Sequence, residues 1–166
     1  MSDTMKYSYI LDTLNRCRQL AFKFAELRDQ VDGLLLTGTK MTATYSPHDG
    51  GKGGGTSDPV FDHIQRLDTL QARLDATWAD YKAADYRAMT LIKTLRITER
   101  ERDILDTYYR GMGSPYMIAV YFTEASPPIN NADDLDRARK GVLRKLRRSQ
   151  FKIRPPKAGI EKPRHS

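Results

Sequence analysis

Apolar residues recur at alternating intervals of three and four along two long stretches of this chain, and that rhythm demands helix. From Thr4 to Leu36 the series is Tyr7, Ile10, Leu14, Cys17, Ala21, Phe24, Val31 and Leu35, with Arg28 as the one charged seam position. Leu11, Leu20, Leu27 and Leu34 widen the stripe, as expected where a helix faces more than one neighbour. No proline interrupts the segment, and Gly33 lies near its end. The second stretch opens at Asp58, a suitable N-cap, with Pro59 in the first helical position. Its stripe is Val60, Ile64, Leu67, Leu74, Trp78, Tyr81, Ala88, Ile92 and Leu95, interrupted by Gln71 and Asp85. Leu70 and Met89 lie beside it.

The intervening residues 37–57 read as a flexible loop, because Pro47 falls within them and five of the six residues from Gly50 to Gly55 are glycine. A phosphate-binding loop would need Ser or Thr after the lysine, whereas Lys52 precedes Gly53. Two amphipathic helices joined this way fold back as an antiparallel hairpin. Residues 1–96 are therefore expected to form a hairpin or coiled-coil arm. Its apolar width exceeds what one partner helix covers, which points to a homodimer formed through the arm.

A different pattern begins after Leu95. Thr98 and Glu101 have the spacing of a capping box. The helix they open buries Ile104, Leu105, Tyr108 and, in the widest reading, Tyr109, and Gly111 and Gly113 end it. Ser114 then caps a short helix that starts at Pro115, with Ile118, Ala119 and Phe122 on the inner face. The small Ala119 would let two short helices approach closely, as a helix-turn-helix requires. A turn over 123–128 contains a proline pair. A final helix then starts at Asn130 or Asn131 and runs to about Ser149, with Leu135, Ala138, Val142, Leu143 and Leu146 inward. The expected fold is all-α, with a helix-turn-helix unit over 97–150 and an extended basic tail over 151–166.

Charge is concentrated at one end. From Arg137 to Ser166 the chain holds twelve of its 28 Lys and Arg residues and one of its 21 acids, a net +11 on a chain of +7. Everything before Arg137 is net acidic. Such a footprint points to double-stranded DNA first and to an anionic membrane surface second. The candidate DNA contacts are Asn130, Asn131, Arg137, Arg139, Lys140, Arg144, Lys145, Arg147, Arg148, Lys152 and Arg154. Tyr108, Tyr109, Tyr116 and Tyr121 could stack on bases, but tyrosines at helical spacing read better as core or core edge.

Several chemistries find no support. Cys17 is the sole cysteine, which leaves no internal disulfide and no cysteine-based zinc site. His48, His63 and His165 are dispersed, so no metal site and no cofactor is expected. No carboxylate pairs recognisably with a base or nucleophile, and the chain does not read as an enzyme. No run approaches the roughly 20 apolar residues that cross a bilayer, and no signal peptide is evident. The expectation is a cytoplasmic, nucleoid-associated protein.

Three segments carry a family resemblance. The loop Met41-Thr-Ala-Thr-Tyr-Ser-Pro with its glycine run, the segment from Thr98 to Tyr109, and Ser114, Ile118, Ala119, Phe122 and Ser126 followed by Val142, Leu143 and Leu146 resemble phage-encoded transcriptional regulators of the ArpU/RinA type. Their C-terminal part is similar to sigma-factor region four. The likeness spans about residues 30 to 148 and implies sequence-specific DNA binding that controls phage or prophage genes in a bacterial cell. The departure lies between Ser126 and Leu146, where this chain is roughly five residues longer and carries Asp133, Asp134 and Asp136. Carboxylates there repel phosphates, so either Asn130 and Asn131 lead into the groove with the acids turned inward, or the docking register differs, or the unit binds protein. Two alternative functions use the same parts: a small terminase-like DNA-packaging subunit, and a coiled-coil interaction protein binding RNA polymerase.

Overall fold

The computed structural model describes residues 6–44, 58–122, 124 and 127–151. It is all-α, with no strand among the described residues. The helices are α1 (Tyr7–Thr44), α2 (Pro59–Thr94), α3 (Glu99–Tyr109), α4 (Pro115–Phe122) and α5 (Ala132–Phe151). With 38 and 36 residues, α1 and α2 pair along an arm somewhat over 50 Å long, at about 1.5 Å per residue.

α1 runs eight residues past Leu36, into what reads as loop. Two local features explain the extension. The hydroxyls of Thr37 and Thr39 donate to the carbonyls of Gly33 and Leu35 at 2.9 and 2.8 Å, so these weak helix formers are accommodated. Gly38 meets α2 at close range, where a Cβ would fall 2.7 Å from His63 Nε2. The remainder of the expected loop, residues 45–57, lies outside the described residues.

The buried seam drifts from the heptad reading. In α1 it passes through Ile10, Leu14, Cys17 and Ala21, then through Leu27 and Val31, while Leu35 is half exposed. Leu27, which flanks the stripe in the sequence, is buried in place of the seam position Arg28, whose charged side chain stays exposed. In α2 the buried positions are Thr77, Ala84, Ala88, Leu91 and Ile92, followed by Leu95. Val60, Ile64 and Trp78, placed in the stripe by the sequence, are exposed along the flank. Phe24, Trp78 and Tyr81 form an aromatic group beside the seam, with centroids 4.9 to 6.4 Å apart.

One contiguous core joins the base of the arm to the C-terminal helices. Ile10, Leu14 and Cys17 of α1 and Ala84, Ala88, Leu91 and Ile92 of α2, with Leu95 just after it, pack with Ile104, Leu105 and Tyr109 of α3, Ile118 and Phe122 of α4, and Leu135, Val142, Leu143 and Leu146 of α5. Ile129, in the turn before α5, is also buried. Arg110 ties the same joint from outside. Its guanidinium bonds Asp85 of α2 at 2.6 and 3.1 Å and Asp106 at 3.0 Å, and the bond to Asp85 holds it protonated more firmly than usual. Burial, with Asp85 nearby, pushes the Cys17 thiol up to about 11, so it behaves as a core side chain.

Candidate nucleic-acid interface

The three C-terminal helices are set by short-range chemistry. Thr98 Oγ1 accepts from Glu101 N at 3.2 Å, and Glu101 Oε2 accepts from Thr98 N at 2.9 Å, completing a capping box at the start of α3. The helix ends with Gly113 N donating to the Thr107 carbonyl at 3.0 Å. Met112 and Gly113 both take left-handed backbone, at φ 54 and 68. Glycine suits this conformation and methionine is strained in it.

Two framework assignments change. Ala119 is exposed, and the inner face of α4 is Ile118 and Phe122, one helical turn apart, with half-buried Met117 beside them. A single turn-spaced pair fills the contact of so short a helix, so the close approach assigned to Ala119 is not used. In α3 the fully buried tyrosine is Tyr109, whereas Tyr108 is only half buried. Tyr108 is held at the edge by cations: the Arg18 guanidinium lies 3.8 Å and that of Arg139 4.3 Å from its ring centroid. Arg18 Nη1 also donates to the Tyr108 carbonyl. Tyr116 and Tyr121 are exposed, together with Val120.

The expected DNA contacts separate into three groups. Arg139 faces inward, its side chain 15% exposed, donating to Asp136 Oδ1 at 2.6 and 3.0 Å and to the Tyr109 hydroxyl at 3.1 Å. It shares the buried face of α5, four residues after Leu135 and three before Val142. A role on DNA is therefore withdrawn for Arg139. Asn131 is engaged too, its Oδ1 accepting from Asp134 N at 2.9 Å as the cap of α5. Asp134 reaches back toward Asn130 N at 3.5 Å. The acids are not turned inward. Asp133 is exposed, Asp134 meets Arg137 at 3.4 Å, and Asp136 binds Lys140 at 2.7 Å and Arg139. The hydrogen bond from Lys140, supported by Arg139, holds the Asp136 carboxyl below its usual range.

Lys145 leans back onto α3 and bonds both oxygens of Glu101 at 2.8 and 3.0 Å. Partial burial works to raise the Glu101 carboxyl, but the bonds from Lys145 and Thr98 bring it below its ordinary value. The third group is the outward face. Arg137, Lys140, Arg144, Arg147 and Arg148 recur at three- and four-residue spacing and are all exposed. Arg144, Arg147 and Arg148 make no ion pair among the described residues. Lys152 and Arg154 fall outside the described residues, as does the rest of the tail.

Sequence reasoning missed two members of this assembly. Arg18, far away on α1, braces Tyr108 and carries no local signal. Ile129 plugs the core from the turn, and a lone branched residue between a proline pair and two asparagines was its only mark. The arrangement can offer a ridge of cations, with no group of three or more His, Cys, Asp or Glu side chains placed to hold a metal among the described residues. No helix among them is long and apolar enough to cross a membrane. The chain matches no protein-family model, no curated protein and no solved structure.

Proposed function

We propose that this protein binds duplex DNA through the outward face of α5 and regulates transcription, as the likeness to phage and prophage regulators implies. The observation that carries the reading is the row Arg137, Lys140, Arg144, Arg147 and Arg148 on one exposed helix face. That face belongs to a three-helix unit braced against the arm, so it can be presented to a groove without first being ordered. Arginines contacting phosphates supply affinity, and a few side chains at base edges supply specificity. Replacing Arg144, Arg147 and Arg148 together with alanine tests the assignment. The variant is expected to keep its helicity and lose duplex binding. A folded variant that binds as well as the parent contradicts the proposal.

The arm serves as the dimer contact in this reading. Its support is the apolar flank of α2, where Val60, Ile64 and Trp78 stay exposed beside half-buried Leu67 and Leu74. Trp78→Glu is expected to shift a dimer to monomer in sedimentation equilibrium; a parent chain that is monomeric at all concentrations refutes the dimer. A larger ring would favour the DNA-packaging alternative.

A second reading has its own observation. Tyr116, Val120 and Tyr121 give α4 an exposed apolar surface, which fits a protein partner such as RNA polymerase. Capture of polymerase without DNA, combined with no duplex binding, selects this reading over the first.

A further inference from the structure

Gly141 stands midway along α5 and is exposed. Nothing among the described residues accounts for a glycine there. A Cβ at this position meets no atom of the described residues within 4 Å, and glycine inside a helix is unfavourable relative to alanine. Arg137 lies one turn before it, Arg144 one turn after, and Arg148 a further turn on. Arg144 and Arg148 have no acidic partner among the described residues, and Arg137 has only the 3.4 Å contact with Asp134. The first turn of the same helix offers the reverse. Asp133 is exposed there, and the Asn131 side chain is occupied as the cap.

We infer that duplex DNA meets α5 at its middle rather than at its first turn, with a backbone phosphate seated against the bare helix surface at Gly141. This rests on the DNA-binding reading above and assigns its docking register. The missing side chain brings the phosphate closer to the helix axis, within reach of Arg144 one turn on, while Arg137 and Arg148 on the same face are left for neighbouring phosphates. The acidic first turn then lies away from the sugar-phosphate strand, which removes the repulsion a docking centred on Asp133 would incur.

The test compares the full chain with Gly141→Ala and Gly141→Gln, using anisotropy of a fluorescein-labelled duplex of mixed sequence. Both variants are expected to fold at least as well as the parent, with alanine raising the folding equilibrium constant about fivefold. Both are expected to bind more weakly, glutamine by about tenfold, at an unchanged salt slope because no charge is lost. Arg144→Ala serves as the comparison and is expected to reduce the slope by about 0.9. Normal binding by Gly141→Gln, alongside weakened binding by Arg144→Ala, overturns the register while leaving the basic face as the DNA site. No binding by the parent chain overturns the DNA reading itself. A lower melting temperature for Gly141→Ala overturns the premise that the position is open.

Discussion

Arg139 and Arg144 are five residues apart on one helix and carry the same charge, yet their removal is expected to have unlike consequences. Arg139→Ala deletes a guanidinium that donates to the hydroxyl of Tyr109, a fully buried residue, at 3.1 Å. Leaving that hydroxyl without its donor costs about 1–3 kcal/mol. The contact with the Tyr108 ring, at 4.3 Å, contributes about 1 kcal/mol more. Loss of the two bonds to Asp136 adds less, because Lys140 still holds that carboxylate at 2.7 Å. The sum is a loss of about 3 kcal/mol, or roughly 6–12 °C in melting temperature for a domain of this size. Arg144→Ala, on the solvent face, is expected to stay within about 0.5 kcal/mol of the parent. Urea denaturation followed by far-ultraviolet circular dichroism measures both. Equal midpoints for the two variants would refute the inward placement of Arg139 and reopen its role on DNA.

Other consequences follow from the same geometry. Leu14 is fully buried where α1 meets the C-terminal helices, so Leu14→Ala is expected to cost about 3 kcal/mol and to lower one shared unfolding transition; separate transitions for arm and C-terminal unit would contradict the common core. Met112→Gly relieves the positive φ of 54 and is expected to stabilise by up to about 1 kcal/mol, read as a higher urea midpoint; an unchanged or lower midpoint contradicts the strain. Glu101 has its folded pKa lowered, so the stability it contributes is present above its unfolded value of 4.5 and is lost as pH falls through the folded value. Glu101→Gln is expected to be less stable than the parent near neutral pH by about 1 kcal/mol and to converge with it in acid; a gap that persists at low pH refutes the linkage.

The parts of the fold legible in the sequence are those governed by neighbouring residues. Asp58 with Pro59, Thr98 with Glu101, and the helix breaks around Gly113 and Pro128 all act over a few residues. What the sequence obscured depends on partners far along the chain. Thr37 to Thr39 have poor helix propensity, and the close approach to His63 that Gly38 permits is visible only once α1 and α2 are paired. Thr77 and Ala84 are too small or too polar to stand out in an apolar count, yet they line the seam, while the large Trp78 sits beside it. Spacing puts Tyr108 on the inner face of α3 ahead of Tyr109, whereas Tyr109 is the buried one and Tyr108 lies at the edge against Arg18 and Arg139. The inward turn of Arg139 was readable, since Leu135, Val142 and Leu143 share its face and Asp136 lies one turn before it. Counting basic residues without assigning them to faces hid that distinction.

The central claim is that phosphates meet the exposed cations of α5, and salt dependence counts those contacts. With Arg137, Lys140, Arg144, Arg147 and Arg148 engaged, a plot of log K against log salt for the parent chain and duplex DNA is expected to fall with a slope of about −4.5 per protomer. The Arg144→Ala variant, with one contact fewer, is expected to give about −3.6. A parent affinity that does not change between low and moderate salt contradicts the account.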